Sequence, residues 1–476
     1  HPQYVAKRAM WRKYRDFYAG GEQLKANATE YLEQRQKEPP DVYGERLARV
    51  FYENYIGSIV DWYAATLFRR EPEITMEGGT ETGRSYFNLL AEDCDLKGSS
   101  ISEFFRARLI EALVYGGSYI LVDFPLAQGR VTSRAEEDRT GRSRGYLVSY
   151  TPDALTNWSL DSHGQFEWVI LRSEYLRKDQ PSDPQLRTET IWRYFDRTRF
   201  QVWRETKVTD STQGPAAVPE LIAEGTHSLA GQQRVPLFEL KVSDGLWLMN
   251  KAALLQQEHF NKSNALSWAL TMGLFATPVV YSERPWNQIV GESYYIQLGP
   301  NDRFGWTEPD GKVYQIATEN LSRLQEEIYR VCYLMGHAAG QHSSIALQSG
   351  LSKARDFAIT QEVLRAYGDA VKDCMKRVLR AIEIAREDEV RIDVAGLDEF
   401  DIRDFSGDLD DAQRLLSLGI ESDTLRKQVY KRLAFKYLCD TRQEVKDRIG
   451  REIDSSIESA IAERVGKETH GEGKHD

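Results

Sequence analysis

The residues of this chain that could perform chemistry are few and widely spaced. Its eight histidines lack the spacing of a metal site, and the chain contains no GxxxxGKS/T, HExxH or SxxK motif. His337 and His342 lie five positions apart and could supply a metal ligand or a base, although their small, polar neighbours are more typical of a solvated loop. The sequence therefore predicts no catalytic residues, no metal site and no cofactor, and we expect no enzymatic activity.

Two further groups each allow a functional and a structural interpretation. An acidic run contains ligands that calcium prefers, but it lacks the glycine placement of an EF-hand loop, which favours a solvated connector. Its members are Asp398, Glu399, Asp401, Asp404, Asp408, Asp410 and Asp411. Gly116-Gly117 could begin a nucleotide-binding turn, but no third glycine follows at the required spacing, which favours a corner between a helix and a strand.

The overall charge argues against tight binding of nucleic acid. The 476 residues include 62 Lys and Arg against 73 Asp and Glu, a formal net charge of −11. A protein that holds DNA strongly by its phosphates is usually basic, whereas a channel through which DNA slides need not be. Lys353 and Arg355 are candidate phosphate contacts, and a solvated face on which Asp356 balances Lys353 explains them equally well.

Cysteine usage and hydropathy indicate a folded protein without disulfides. Cys94, Cys332, Cys374 and Cys439 are far apart and form no CxxC pair, so we expect reduced, buried thiols. The stretch from 263 to 282 carries no charge and is long enough to cross a bilayer. It contains several polar residues and a proline, however, and we therefore expect no membrane association.

Apolar periodicity predicts helices in the first third of the chain. Apolar residues from Phe51 to Leu67 recur at spacings of three and four, which is one face of a helix that ends before Pro72. A second helix begins near Ser100 or Ser102, either of which is a suitable cap, and ends at Gly116-Gly117. The apolar residues from 118 to 124 then predict a buried strand.

The middle of the chain changes to a pattern of strands. Between about residues 145 and 240, short runs rich in Tyr, Trp, Val and Ile alternate with polar turns, and the turn from Asp196 to Arg199 is one example. The predicted strands are Phe166–Leu171, Thr190–Phe195 and Phe200–Trp203. This pattern is typical of an antiparallel sheet built from hairpins, so the fold class is α+β.

Helices return in the second half, where the strongest periodic signal lies. Predicted helices cover Leu246–Leu274 and Glu319–Leu334, with short β segments from Val279 to Ile316 between them. From 351 to 387 apolar residues recur at near-heptad spacing with no proline and one glycine, which predicts a helix about 55 Å long. Between the last two helices lies a loop of small and polar residues, His337–Gly350.

The part of the chain that follows the long helix is predicted to contain less regular secondary structure than the rest. An acidic connector follows the long helix from Glu387 to Asp411, and a last helical segment follows Glu421. The polar tail from Gly466 is predicted to be disordered.

Several short motifs, in this order, resemble those of tailed-phage portal proteins, and in particular a portal-like family formerly of unknown function. The motifs are spread over roughly 400 residues, and each is short. They are His1-Pro2-Gln3-Tyr4 with Trp11 and Arg15-Asp16; Tyr55 to Phe68 with Arg69-Arg70-Glu71-Pro72; Tyr115 to Asp123; His259-Phe260-Asn261-Lys262-Ser263; and Thr277-Pro278-Val279-Val280.

The resemblance implies a portal-type elongated subunit with named parts. Residues 1–240 would form a wing of helices and antiparallel β segments. Residues 246–275 and 318–336 would form paired stem helices joined by a clip at 276–317. Residues 337–350 would form a tunnel loop, 351–387 a long tunnel helix, and 388–476 a small helical crown with the acidic connector and the disordered tail.

The resemblance also implies a function. Twelve subunits would form a ring at the capsid vertex of a virion, assembled in the host cytoplasm, through which double-stranded DNA is packaged and ejected. Its partners would be the terminase large subunit, a neck or head-tail adaptor, and the major capsid and scaffolding proteins. The residues facing DNA would be Gly340, Gln341, His342, Ser343 and Ser344. The alternatives are a head-vertex or adaptor protein without a channel, and an enzyme with an unrecognised site.

Overall fold

The computed structural model describes most of the chain, and it divides into two compact units. The residues outside the description are 125–143, 179, 182–186, 208–216, 274–276, 283–297, 308–310, 335–349, 388, 399–404, 419, 421, 439–440 and 472–476. The first unit comprises His1–Arg12, Val60–Trp247 and Ala358–Asp476. The second unit comprises Lys13–Ile59 and Leu248–Phe357. Residues 13–59, which the resemblance to portal proteins would place in the wing, thus belong to the same unit as residues 248–357.

Helices and antiparallel strands occur together, in agreement with the predicted α+β class. The helices of the described residues are α1 (Pro2–Ala19), α2 (Gly21–Ala26), α3 (Pro40–Ala48), α4 (Tyr55–Leu67), α5 (Glu81–Glu92), α6 (Ile101–Tyr115), α7 (Leu248–Gly273), α8 (Gly311–Val331), α9 (Gly350–Arg386), α10 (Phe405–Ser417), α11 (Asp423–Tyr437) and α12 (Gln443–Gly471). The strands are β1 (Glu73–Gly78), β2 (Gly117–Asp123), β3 (Tyr146–Tyr150), β4 (Leu155–Leu160), β5 (Phe166–Arg177), β6 (Arg187–Asp196), β7 (Arg199–Lys207), β8 (Ala217–Thr226), β9 (Leu237–Lys241), β10 (Thr277–Tyr281), β11 (Arg303–Thr307) and β12 (Val390–Ala395).

The predicted corner between α6 and β2 is confirmed. Ser100 caps α6 with a capping box, because its hydroxyl accepts from the backbone N–H of Glu103 and the Glu103 carboxylate accepts from that of Ser100. Gly116 ends the helix in the left-handed region with φ 90°. A Cβ at Gly116 would lie 3.1 Å from the Trp247 ring, so the glycine also permits close packing. The site is a structural corner and not a nucleotide-binding turn.

The predicted antiparallel sheet is also confirmed. Strands β4 to β8 form a five-stranded sheet in sequential order, and β2 lies between β3 and β9 in a three-stranded sheet. The turn at Asp196 is fixed because its carboxylate accepts from the backbone N–H groups of Thr198 and Arg199. Phe195 and Phe200, on either side of this turn, join one apolar core.

The long helix is confirmed as α9, which has 37 residues. Its apolar face packs within the first unit through buried residues that include Tyr367, Val371, Met375, Val378 and Ile382.

Three predictions about the second half of the chain are wrong in part. The predicted acidic connector contains strand β12, which pairs antiparallel with β1 and buries Val390 and Val394. The alternation of Val390, Ile392 and Val394 with charged residues is the sequence signal of a strand. The neighbouring acidic residues obscured this signal. The tail is helical as far as Gly471, because extending an existing helix costs little. The third concerns the predicted clip and its following helix.

Helix α8 begins at Gly311, eight residues before the predicted start and inside the predicted clip. Tyr314, Ala317, Leu321, Leu324 and Ile328 recur at spacings of three and four. These residues define one helical face that extends towards Gly311, so the β segments end before it.

Gly368, the one glycine in the interior of α9, allows the chain after β12 to approach the helix backbone. A Cβ at Gly368 would lie 2.3 Å from the carbonyl oxygen of Leu397, which is impossible without movement of backbone. A glycine in an open helix position normally costs about 1 kcal/mol relative to alanine. The close approach therefore explains why the least favourable residue besides proline stands inside the longest helix.

We expect Gly368→Ala to destabilise the protein by about 1–3 kcal/mol, because overpacking against backbone outweighs the gain in helix propensity. Gly44→Ala is the control, since Gly44 lies inside α3 with nothing within 4 Å of a new Cβ. That substitution should stabilise by about 0.5–1 kcal/mol. Urea unfolding checks both, and midpoints that move in the same direction would contradict the packing described for Gly368.

Candidate functional site

Helices α7 and α8 lie side by side in opposite directions in the second unit. Strands β10 and β11 connect them at one end and pair antiparallel, with Thr277 opposite Thr307. Three hydrogen bonds join the helices at successive levels: Tyr314 to the carbonyl of Ala269, Lys262 to the Asn320 carboxamide, and Lys251 to the Tyr333 hydroxyl. We call α7, β10, β11 and α8 the stem hairpin.

Three carboxamides on α7 hold the N-terminal segment of the second unit. Each donates to a backbone carbonyl and accepts from a backbone N–H: Asn264 binds both groups of Phe51, Asn261 binds Tyr31 and Glu33, and Gln256 binds Glu53 and Ile56. Asn261 belongs to one of the motifs that resemble portal proteins. Its role here is structural, because it satisfies backbone groups that no helix or sheet pairs.

Asp16, in another of these motifs, is a buried carboxylate with a full set of donors. It is 0% exposed and accepts from Tyr31 at 2.7 Å, from Gln23 and Asn27 at 2.9 Å each, and from Arg15 at 3.4 Å. A buried charge is tolerated when donors surround it in this way. Asp16 therefore fixes the turn between α1 and the segment that follows, and it has no open side for a substrate.

A His–Glu–Tyr cluster beside α7 has the residue types of acid–base catalysis. The His259 Nε2 lies 3.4 Å from a Glu53 carboxylate oxygen, and the Tyr55 hydroxyl donates to the same carboxylate at 3.0 Å. Burial lowers the pKa of His259, although Glu53 opposes this shift. Burial and Glu53 both raise the pKa of Tyr55. The imidazole thus stays neutral and the phenol protonated, so the cluster contains no activated nucleophile.

The described cysteines agree with the expected buried thiols. Cys94, Cys332 and Cys374 are free and buried, and burial raises the pKa of Cys332 and of Cys374 to about 12. Thiols in this state are inert nucleophiles. Cys439 lies outside the described residues.

One Gly-x-Ser-x-Gly pattern occurs, from Gly141 to Gly145. A nucleophile elbow needs a strand before its serine and a helix after it. Here strand β3 begins directly after Gly145, where a nucleophile elbow requires a helix. Ser143 itself lies outside the described residues.

A cleft of about 960 Å³ in the first unit is lined by opposite charges. Its walls include β1, β12 and parts of α9 and α11. Lys376 pairs with Asp393 at 2.8 Å, and Lys446 lies 3.5 Å from Glu71. The charges of the cleft thus compensate each other in part, and their arrangement does not define a reaction.

Among the residues that the structure describes, no group of His, Cys, Asp or Glu side chains could hold a metal ion. Within the same part of the chain, no helix has the length and apolarity needed to cross a membrane.

The predicted DNA-facing residues cannot be placed in this site. Gly340, Gln341, His342, Ser343 and Ser344, together with His337, lie outside the described residues. Lys353 and Arg355 lie near the start of α9, and their side chains also lie outside the description. In the acidic run from 398 to 411, Glu399, Asp401 and Asp404 lie outside the described residues, whereas the members from Asp408 to Asp411 lie in α10.

The junction between α8 and the loop 337–350 has a feature that sequence reasoning missed. Tyr333 adopts the left-handed conformation with φ 62°. The backbone N–H of Tyr333 donates to Arg330 at 3.1 Å and that of Leu334 to Tyr329 at 2.9 Å, which is the bonding pattern of a Schellman motif. Glycine usually occupies the left-handed position of this motif, and another residue costs roughly 1–2 kcal/mol there.

Contacts with α7 accompany this unfavourable conformation. The Lys251 ammonium lies 4.2 Å from the centroid of the Tyr333 ring and donates to its hydroxyl. Leu334, which follows, is 3% exposed and Ile328 is 0% exposed, so the apolar positions of the motif are buried as well. The sequence predicted the helix to end near Leu334, but without a glycine at 333 it carried no signal for the left-handed conformation there.

Comparisons with known proteins find partial structural likeness only. No family model matches the chain, and no curated protein matches it. One similar chain comes from the "Neck of empty GTA particle computed with C6 symmetry", with 14% identity and a TM-score of 0.42, covering 79% of this chain and 90% of that chain. A second comes from the "Virion of native gene transfer agent (GTA) particle", with 14% identity and a TM-score of 0.41, covering 84% of this chain and 96% of that chain.

A third similar chain comes from the "Neck of native GTA particle computed with C12 symmetry", with 13% identity and a TM-score of 0.37. It covers 86% of this chain and 98% of that chain. All three belong to phage-like gene transfer agent particles. Because the TM-scores lie below 0.5, these likenesses do not identify the role of this chain.

Proposed function

We propose that this chain is one subunit of a portal, a ring at the vertex of a viral head through which double-stranded DNA enters and leaves. The observation that carries the proposal is the order of elements in the second half of the chain. A two-helix hairpin closed by a short sheet is followed by a small, polar segment and then by a 37-residue helix. This order matches the stem, clip, tunnel loop and tunnel helix that the resemblance implies.

Exposed apolar side chains on the stem hairpin support association between copies. Leu254 is 70% exposed, Tyr281 66%, Val313 65% and Ile316 59%. Val313 and Ile316 lie three residues apart on one face of α8, and contiguous exposed apolar surface commonly marks a site that another protein covers. If each copy contacts the next through the same rotation about one axis, these surfaces are buried between neighbouring copies. When the rotation closes on itself, the copies form a ring.

The charges also suit a channel. Each phosphate contact with Lys or Arg adds affinity that must be lost again when DNA moves. The residues from 340 to 344 carry no Lys, Arg, Asp or Glu, so a collar of these loops would hold DNA weakly. The ATP-driven motor would then be a separate protein, the terminase large subunit, that docks at β10 and β11 and is later replaced by a neck adaptor.

The remaining assignments follow from the same proposal. Residues 1–240 would form the wing, and 388–476 the crown, with the major capsid and scaffolding proteins as neighbours in the virion. The chain would be a structural protein with no turnover of its own. Twelve copies would form the ring.

A deletion experiment separates the portal from an adaptor without a channel. Particles assembled without this chain should contain no DNA, because packaging has no entry point. Complementation with the intact chain should restore filled heads. Filled heads that lack tails in the deletion strain would contradict the portal proposal and favour an adaptor.

A further inference from the structure

We propose that Lys251 and Tyr333 form a latch that fixes the point and direction in which the chain leaves α8 for the loop 337–350. The proposal rests on the proposed function in one respect, namely that this loop contacts DNA. The latch itself is a property of the stem hairpin. Tyr333 is thus a positioning residue that acts through the backbone.

The first support is a conflict between residue type and conformation. Tyr333 occupies the left-handed position of a Schellman motif, where glycine would meet no steric penalty. A conflict of this kind persists only when the surroundings determine the conformation. Residues that break a local rule in this way are often found at functional sites.

The second support is the contact that determines the conformation. Lys251 approaches Tyr333 in two ways, with its ammonium 4.2 Å from the ring centroid and with a hydrogen bond to the hydroxyl. A glycine could satisfy the backbone hydrogen bonds of the helix end, but it could not contact Lys251. The tyrosine therefore adopts an unfavourable backbone conformation, but its side chain connects the end of α8 to α7.

The third support is the position of the latch along the chain. Tyr333 lies four residues before His337, the first residue of the loop that we propose to contact DNA. Cys332 and Leu334, the residues on either side of Tyr333, are both buried, so the chain is held before and after the turn. A small change in the backbone angles of Tyr333 would change the direction in which the chain continues towards the loop 337–350.

Hydrogen exchange tests the latch without DNA. In the purified full chain, Lys251→Met and Tyr333→Phe should each speed hydrogen exchange of the Tyr333 and Leu334 amides by about threefold to tenfold. Both variants lose the hydrogen bond between Lys251 and the Tyr333 hydroxyl, and Lys251→Met also loses the contact of the ammonium with the ring. Lys262→Met is the matched control, since Lys262 bonds to Asn320 on α8 but far from its last turn. It should leave these two amides unchanged. Unchanged exchange in both latch variants would overturn the proposal.

Packaging rate then tests whether the latch positions the loop. Lys251→Met should slow packaging relative to Lys262→Met, while both variants keep the thermal stability of the parent protein to within a few degrees. Faster exchange together with a normal packaging rate would overturn the positioning role and leave the portal proposal intact. If the parent protein supports no packaging at all, the portal proposal fails, and the exchange result still decides whether the latch exists.

Discussion

Replacing Gln341 and Ser344 together with arginine is expected to slow or stall DNA packaging while ring assembly stays intact. In a ring, each substitution is repeated in every subunit, so the channel gains two guanidinium groups per copy. Arginine binds phosphate through charge-assisted, often bidentate hydrogen bonds. Each new contact raises affinity for the DNA backbone in a salt-dependent manner, and movement must break all of them.

Alanine at the same two positions provides the control, and its effect should be much milder because weak hydrogen bonds are lost and none is gained. Packaging should be measured as the rate at which heads fill with DNA, at two salt concentrations. The loss of packaging rate in the arginine variant should be smaller at the higher salt concentration, because salt weakens phosphate contacts. If the arginine variant forms normal rings and packages at the normal rate, loop 337–350 does not line the constriction.

The second large effect is expected for Asp16→Ala, which should destabilise the protein by about 3 kcal/mol or more. The substitution removes the acceptor that Tyr31, Gln23 and Asn27 share. The Tyr31 hydroxyl and the Asp16 site are buried, so water cannot readily replace the lost acceptor there. Asp373→Ala is a matched control on the exposed side of α9, where the change should stay within about 0.5 kcal/mol.

Urea denaturation followed by circular dichroism measures both aspartate variants. Asp16→Asn should fall between the parent and the alanine variant, since an amide retains one acceptor oxygen. Equal midpoints for Asp16→Ala and Asp373→Ala would mean that the donor set around Asp16 contributes nothing to stability.

Local signals in the sequence predicted those elements whose boundaries depend on local chemistry. Ser100 and Gly116 mark both ends of α6 because a hydroxyl cap and a left-handed glycine act on the helix in which they stand. The turn at Asp196 is local for the same reason. The long helix α9 was recognisable because its apolar period extends over many turns.

The elements that the sequence did not predict correctly depend on distant partners. Strand β12 exists because β1, more than 300 positions earlier, pairs with it, with Glu73 opposite Ala395; the acidic residues nearby suggested a solvated connector instead. Gly368 was visible as an interruption in α9, but its reason is the carbonyl of Leu397. Neither partner can be identified from a short stretch of sequence.

Much of the predicted functional site stays a prediction. The residue types from Gly340 to Ser344 suggest a weak collar, and these residues lie outside the described part of the chain. What the structure adds is the end of the stem hairpin at Tyr333 and Leu334, the last described residues before them. The left-handed conformation of Tyr333 had no sequence signal, because no glycine stands there and the Lys251 contact comes from the other helix of the hairpin.

Negative-stain microscopy of the purified full chain tests the central claim most directly. The proposal predicts closed rings with a stain-filled central hole, because copies that close around an axis would bury the apolar side chains exposed on the stem hairpin. The images should be recorded over a range of salt concentrations, since exposed charges oppose association most strongly at low ionic strength. Single subunits at every salt concentration, or assemblies without a central hole, would contradict the claim that this chain forms a DNA channel.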